Sequence, residues 1–221
     1  MNTPSAPVIL ITGAAGGLGR ALSLAAAQDG IRLILLGRKP EALMSLADEI
    51  VAAGGDEPLL HAIDLAGAQA EDYLQLAELL AQHITQLDAL LHLAADIAAP
   101  APLAHVDPVI WNRVLRVNLT APFLLTRACL PLLRKAHGKL VFIGDDCGAS
   151  YLGAYGVSKA ALALQSRQWA DEQPELKVEL FTPPAMPTPL YARIFPGHAP
   201  KGLAPTGEVA QTLLKRMMLR Q

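Results

Sequence analysis

The chain has 221 residues, 52% hydrophobic and 17% charged, enough apolar material for a large core and too little charge for a disordered chain. Eighteen Lys and Arg against twenty Asp and Glu leave a formal charge of −2, which excludes a general pull toward nucleic acid, and no basic block supplies a local one. Cys129 and Cys147 read as reduced thiols, the histidines form no metal-ligand cluster, and the length fits one domain over residues 1–221.

Residues 1–7 carry no basic region ahead of an apolar run, and no apolar stretch reaches the roughly 20 residues that span a bilayer. A cytoplasmic protein without membrane contact is expected. Val8 to Ile11, Arg32 to Leu36, Ala89 to Leu93 and Lys139 to Ile143 are continuous apolar runs, as strands buried on both faces of a parallel sheet require. Leu59 to Ile63 and Lys177 to Phe181 are weaker examples. Between them lie helical stretches at Leu18 to Asp29, Glu41 to Ala53, Ala70 to Thr85, Pro108 to Lys135 with a break, and Ala154 to Glu172. Gly30, Gly54-Gly55 and Gly138 mark helix ends. This alternation predicts βαβ units and a doubly wound α/β sheet.

The segment from Pro183 to Pro205 holds seven prolines, including Pro200, and cannot carry a long helix. It is either a meandering surface loop or a flap over a ligand crevice, with Tyr191, Ile194 and Phe195 as apolar anchors. A last helix is expected from Thr206 to Leu219.

Thr12-Gly13-Ala14-Ala15-Gly16-Gly17-Leu18-Gly19 follows the first strand directly. Glycines there let main-chain N–H groups approach a pyrophosphate, at which the next helix also aims its partly positive end. The second strand ends in Leu36-Gly37-Arg38-Lys39, where an NAD site would place a carboxylate for the ribose 2′-hydroxyl. Two cations favour a 2′-phosphate, hence NADP(H), unless they are ordinary solvated residues opening a loop. Further along, Tyr155-Gly156-Val157-Ser158-Lys159 puts a phenol and an ammonium on one helical face. A nearby ammonium stabilises phenolate, as a general acid or base requires.

Taken together, these motifs resemble the short-chain dehydrogenase/reductase family, with the likeness running from Val8 to about Leu219. Thr12-Gly13-x-x-x-Gly17-x-Gly19 matches its cofactor turn, Asp64-Leu65 its aspartate beside the adenine, Val117-Asn118-Leu119-Thr120 its asparagine segment, and Tyr155-x-x-x-Lys159 its catalytic pair. The resemblance implies hydride transfer between nicotinamide and a small carbonyl or alcohol substrate. Tyr155 would move the proton, Lys159 would lower the tyrosine pKa and hold the nicotinamide ribose, and Asn118 would maintain the lysine and a relay water. It further implies cofactor contacts from Thr12, Gly13, Ala15, Gly17, Leu18, Gly19, Arg38, Asp64, Leu65, Ala94 and Thr188, and a homodimer through the helices carrying Asn118 and Tyr155.

Four departures qualify the likeness. The serine that polarises the substrate oxygen is replaced in Gly144-Asp145-Asp146-Cys147-Gly148, so Asp145 enters the catalytic set with Asp146 as its rival. An ionised carboxylate cannot donate to a carbonyl oxygen, although a protonated one can. Ser150 is a poor substitute, lying too near Tyr155 in the chain. His92-Leu93-Ala94-Ala95 lacks the amides that usually brace the central strands, and Pro183-Pro184 replaces Pro-Gly. Finally, six strands in the order 3-2-1-4-5-6 with helices on both faces are expected, without a seventh. An NADP(H)-binding sensor or scaffold is the alternative to an enzyme.

Overall fold

The computed structural model describes residues 6–146, 149–197 and 202–218. Residues 1–5, Cys147, Gly148, Pro200 and Leu219, which enter the readings above, lie outside them. Six strands pair in parallel: β1 (Val8–Thr12), β2 (Arg32–Gly37), β3 (Leu59–Ala62), β4 (Ala89–His92), β5 (Lys139–Ile143) and β6 (Lys177–Phe181). Their order is β3-β2-β1-β4-β5-β6, the doubly wound arrangement expected.

Among the described residues the α-helices are α1 (Gly17–Gln28), α2 (Pro40–Ala52), α3 (Ala70–His83), α4 (Pro108–Leu115), α5 (Ala121–Ala136), α6 (Gly153–Glu172), α7 (Pro189–Ile194) and α8 (Thr206–Met218). Ile9 and Ile11 of β1 pack against α1, α2 and α8, whereas Val8 and Leu10 pack against α3, α5 and α6. A strand covered on both faces needs apolar residues at every position, which explains the unbroken runs in the central strands. No described helix is long and apolar enough to cross a membrane.

Three local features differ from the sequence reading or refine it. The break expected within Pro108 to Lys135 is a wider π turn at Arg116–Thr120, where Ala121 N–H reaches back to the Arg116 carbonyl. It joins α4 to α5 without interrupting the chain's helical course and carries Asn118 at its centre. At the end of α5 the left-handed residue is His137 (φ 47°), not Gly138. Gly138 is needed for space instead, since a Cβ there would lie 2.6 Å from the Leu87 carbonyl oxygen.

The third concerns the missing amides after β4. His92 is buried, its Nε2 lies 2.8 Å from Thr126 Oγ1 on α5, and its ring stacks on Phe142 of β5 at 5.1 Å. The imidazole therefore ties β4 to the helix layer. Burial drives its pKa down to about 3, which keeps it neutral. Burial likewise pushes the free Cys129 thiol up to about 12, so it remains an unreactive core residue near neutral pH.

Candidate active site

The carboxyl ends of the central strands open into one cleft of about 790 Å³. In a doubly wound sheet this is where the strand order reverses and ligands enter. The turn from Thr12 to Gly19 forms one wall, and it can only be built from glycine at several points. Gly13 has φ +64°, and a Cβ on it would meet the Ala94 main chain at 2.8 Å. One on Gly19 would lie 2.3 Å from the Gly13 carbonyl oxygen, and one on Gly17 2.7 Å from the Thr188 methyl. The bare main chain thus leads into α1, whose first turn carries no acidic residue and whose N-cap makes no side-chain hydrogen bond. First-turn N–H groups have no partner within a helix, so this end of the cleft suits an anion.

Thr12, Gly13, Ala15, Gly17, Leu18, Gly19, Arg38, Asp64, Leu65, Ala94, Tyr155, Lys159 and Thr188 all line the same cleft. Their contacts separate holding groups from bracing ones. Thr12 accepts from Ala94 N–H (3.1 Å) and donates to the Leu91 carbonyl (3.4 Å), so its hydroxyl fastens β1 to the end of β4. Arg38 and Lys39 are exposed at the tip of β2, and among the described residues neither side chain has a hydrogen bond or ion pair. Asp64 accepts from Ala66 N–H at 3.2 Å and shapes the turn after β3. Thr188 caps α7 by accepting from Tyr191 N–H at 3.2 Å.

At the opposite end, α6 presents Tyr155 and Lys159, both buried. Lys159 Nζ donates to the Ile143 carbonyl at 2.8 Å and stands 5.6 Å from the centre of the Tyr155 ring. The Tyr155 hydroxyl donates to Asp145 Oδ2. Asp145 rather than Asp146 therefore meets the phenol, although both line the cleft. Ser150 is exposed and does not line it.

Asn118 is buried, and its amide links two parts of the site. It accepts from Asp96 N–H at 2.7 Å, donates to the Asp96 carbonyl at 2.9 Å and donates to Ser158 Oγ at 3.0 Å. Ser158 in turn donates to the Tyr155 carbonyl at 2.7 Å. The π turn is what aims the amide inward, a common use of such turns.

Sequence reasoning missed Asp96, Arg113 and Arg193. The Asp96 carboxylate holds Arg113 of α4 at 2.6 Å and Arg193 of α7 at 3.7 Å, joining the two sides of the cleft mouth. These three residues carry no motif, and only the fold brings them together. Leu190, Tyr191, Ile194 and Phe195 line the same mouth, so the described part of the proline-rich segment, termed the flap, borders the cleft. Within it, Tyr191 and Phe195 stack at 4.8 Å.

A glycine turn at a helix N-terminus, two cations at the tip of β2 without partners among the described residues, and a phenol–ammonium pair thus line one cleft of a Rossmann-type sheet. Residues 7–198 match the sequence pattern of the short chain dehydrogenases, and the chain belongs to that family. It is similar to the uncharacterized oxidoreductase YciK of Escherichia coli (strain K12), 35% identical over 207 residues, which are 91% of this chain and 82% of that one. A short chain dehydrogenase of Shigella flexneri 2a, solved in complex with NADP, is 34% identical and superposes with a TM-score of 0.92, over 96% of this chain and 90% of that one. A short chain dehydrogenase of Escherichia coli CFT073, complexed with NADPH, gives 35% identity, TM-score 0.92 and the same coverage.

Proposed function

We propose that the protein is an NADP(H)-dependent oxidoreductase transferring hydride between nicotinamide and a carbonyl or alcohol carbon. One observation carries this reading: a single cleft joins the glycine turn and the partnerless Arg38 and Lys39 at one end to Tyr155 and Lys159 at the other. The two relatives solved with NADP and NADPH support the same cofactor.

In this reading the main chain from Gly13 to Gly19 takes the pyrophosphate, Arg38 the 2′-phosphate, and Asp64 and Leu65 flank the adenine. When bound, the nicotinamide supplies or accepts two electrons and one hydrogen at the substrate carbon. Tyr155 passes the proton at its hydroxyl. Lys159, fixed by the Ile143 carbonyl, keeps a positive charge beside that phenol and stabilises its anion. Asn118 holds Ser158 and thereby the first turn of α6 that carries Tyr155. Exposed Phe123 of α5 with Val157 and Leu164 of α6 offers an apolar face for a homodimer.

The hydrogen bond from Tyr155 to a carboxylate favours a second reading, a nucleotide-binding sensor or scaffold that no longer reduces carbonyls. NADPH oxidation measured against ketones, aldehydes and quinones, with Tyr155→Phe as control, separates the two. The enzyme requires turnover that Tyr155→Phe abolishes. Tight NADPH binding with no Tyr155-dependent turnover on any compound leaves the sensor.

A further inference from the structure

We propose that the site also takes, and prefers, a cationic carbon–nitrogen double bond (an iminium or protonated imine), with Asp145 as its counter-ion. This extends the reading of the cleft as a hydride-transfer site. A reacting C=O or C=N group placed against the Tyr155 hydroxyl lies beside the group that hydroxyl already touches, which is Asp145 Oδ2. For a carbonyl this neighbour is wrong, because the oxygen gains negative charge as the carbon is reduced and a carboxylate opposes it. For an iminium it is right. The positive charge is present at the start, is attracted by the carboxylate, and disappears as the carbon is reduced.

The rest of the substrate end agrees. Asp146 adds a second carboxylate to the lining, and among the described residues it has no hydrogen bond or ion pair. Arg113 and Arg193 share Asp96, and Lys159 donates to the Ile143 carbonyl but keeps its charge, so the two carboxylates Asp145 and Asp146 stand against one ammonium at the substrate end. Tyr191 and Phe195 put two aromatic rings at the mouth, surfaces that attract a cation and shield it from water. Leu152, Leu190 and Ile194 add apolar lining for the rest of the substrate, while Asp145 and Asp146 themselves are exposed.

The step balances. Reduced nicotinamide dinucleotide gives two electrons and one hydrogen to the carbon and leaves oxidised, a C–H bond forms, and the C=N π pair becomes the nitrogen lone pair. An N-alkyl iminium needs no proton. A neutral imine takes one at nitrogen from Tyr155, which is replenished from solvent.

The test pairs N-methyl-3,4-dihydroisoquinolinium, permanently charged, with α-tetralone, neutral and of similar size. Calorimetry on the protein alone should show the cation binding at least tenfold more tightly than the ketone, and Asp145→Ser should remove that preference. With NADPH, and above the uncatalysed rate, kcat/KM should favour the cation at least a hundredfold. Asp145→Ser should lower kcat/KM for the cation at least tenfold while raising it for the ketone. Equal binding of the two compounds, or a preference unchanged in Asp145→Ser, overturns the inference. Failure of NADPH to bind, or to be oxidised by these two compounds and by every ketone, aldehyde and quinone of the panel, instead sinks the oxidoreductase reading, and the calorimetry still decides the role of Asp145.

Discussion

Tyr155 donates its phenolic hydrogen bond to the carboxylate of Asp145, ten residues earlier at the end of β5, where the sequence resemblance leads one to look for a hydroxyl. A hydroxyl donates to a substrate oxygen and an ionised carboxylate does not. Asp145→Ser should therefore raise kcat/KM for a neutral ketone by about tenfold or more, against the roughly hundred- to thousandfold that one fully preorganised donor to a developing oxyanion contributes. Steady-state NADPH oxidation with and without the substitution measures it. Unchanged or lower ketone turnover in a folded Asp145→Ser protein would mean that the carboxylate itself serves carbonyl chemistry.

Arg38 stands at the tip of β2, beside Gly37, with no side-chain partner among the described residues. A 2′-phosphate would meet that guanidinium in a charge-assisted contact, whereas a 2′-hydroxyl gains little from it. Such a contact is worth about 1.5–3 kcal/mol, roughly ten- to a hundredfold in affinity. Arg38→Asp should weaken NADPH binding by that factor and change NADH binding by less than about threefold, as titration calorimetry would record. Equal affinity of the unaltered protein for the two dinucleotides would refute the assignment.

The division between what the sequence discloses and what it hides follows contact range. Continuous apolar runs disclosed β1, β2, β4 and β5, because a strand buried on both faces has few polar positions to interrupt it, whereas β3 and β6, at the two edges of the sheet, were weaker signals. The glycine turn, Arg38, Tyr155 and Lys159 line one cleft, and each lies at a strand end or a helix start that the alternation fixes, whereas Asn118 sits in the π turn outside the cleft lining and bonds Asp96 and Ser158. Asp96, Arg113 and Arg193 could not. Their ion pairs span 17 and 97 positions, and nothing local marks an aspartate or arginine as part of a clamp. His92 was legible as a departure from an amide but not as its replacement, since Thr126 lies 34 residues away on another element. The choice between Asp145 and Asp146 was hidden for a different reason: adjacent residues point in different directions, and only the geometry of the β5–α6 segment decides which one reaches Tyr155.

Arg193 connects the flap to the body of the cleft through Asp96, whose main chain is held at both N–H and C=O by Asn118. Removing the guanidinium frees α7 at its C-terminal turn without touching Tyr155 or the glycine turn. Arg193→Met should therefore speed deuterium exchange in residues 189–195 up to about fivefold while leaving β1 and α6 unchanged, consistent with one largely exposed ion pair worth at most about 1 kcal/mol. Exchange equal to that of the unaltered protein would show that the apolar contacts of Leu190 and Ile194 hold the flap alone.

His92 gives the fold a pH dependence whose sign is fixed by burial. Its native pKa lies near 3, below the ordinary 6.5, because desolvation disfavours the imidazolium. Between these values the unfolded chain binds a proton that the native state refuses, so stability is complete above about pH 6.5 and falls as the pH drops toward 3. From pH 7 to pH 5 the loss amounts to about 2 kcal/mol from this residue, or roughly 4–8 °C in Tm for a domain of this size. In His92→Asn, an amide that does not titrate can still donate to Thr126, so the variant should lose about that much less over the same range. Differential scanning calorimetry of both proteins without nucleotide provides the comparison. Parallel declines in Tm would mean that His92 accepts its proton without unfolding and that the stacked, hydrogen-bonded ring does not exclude the charge.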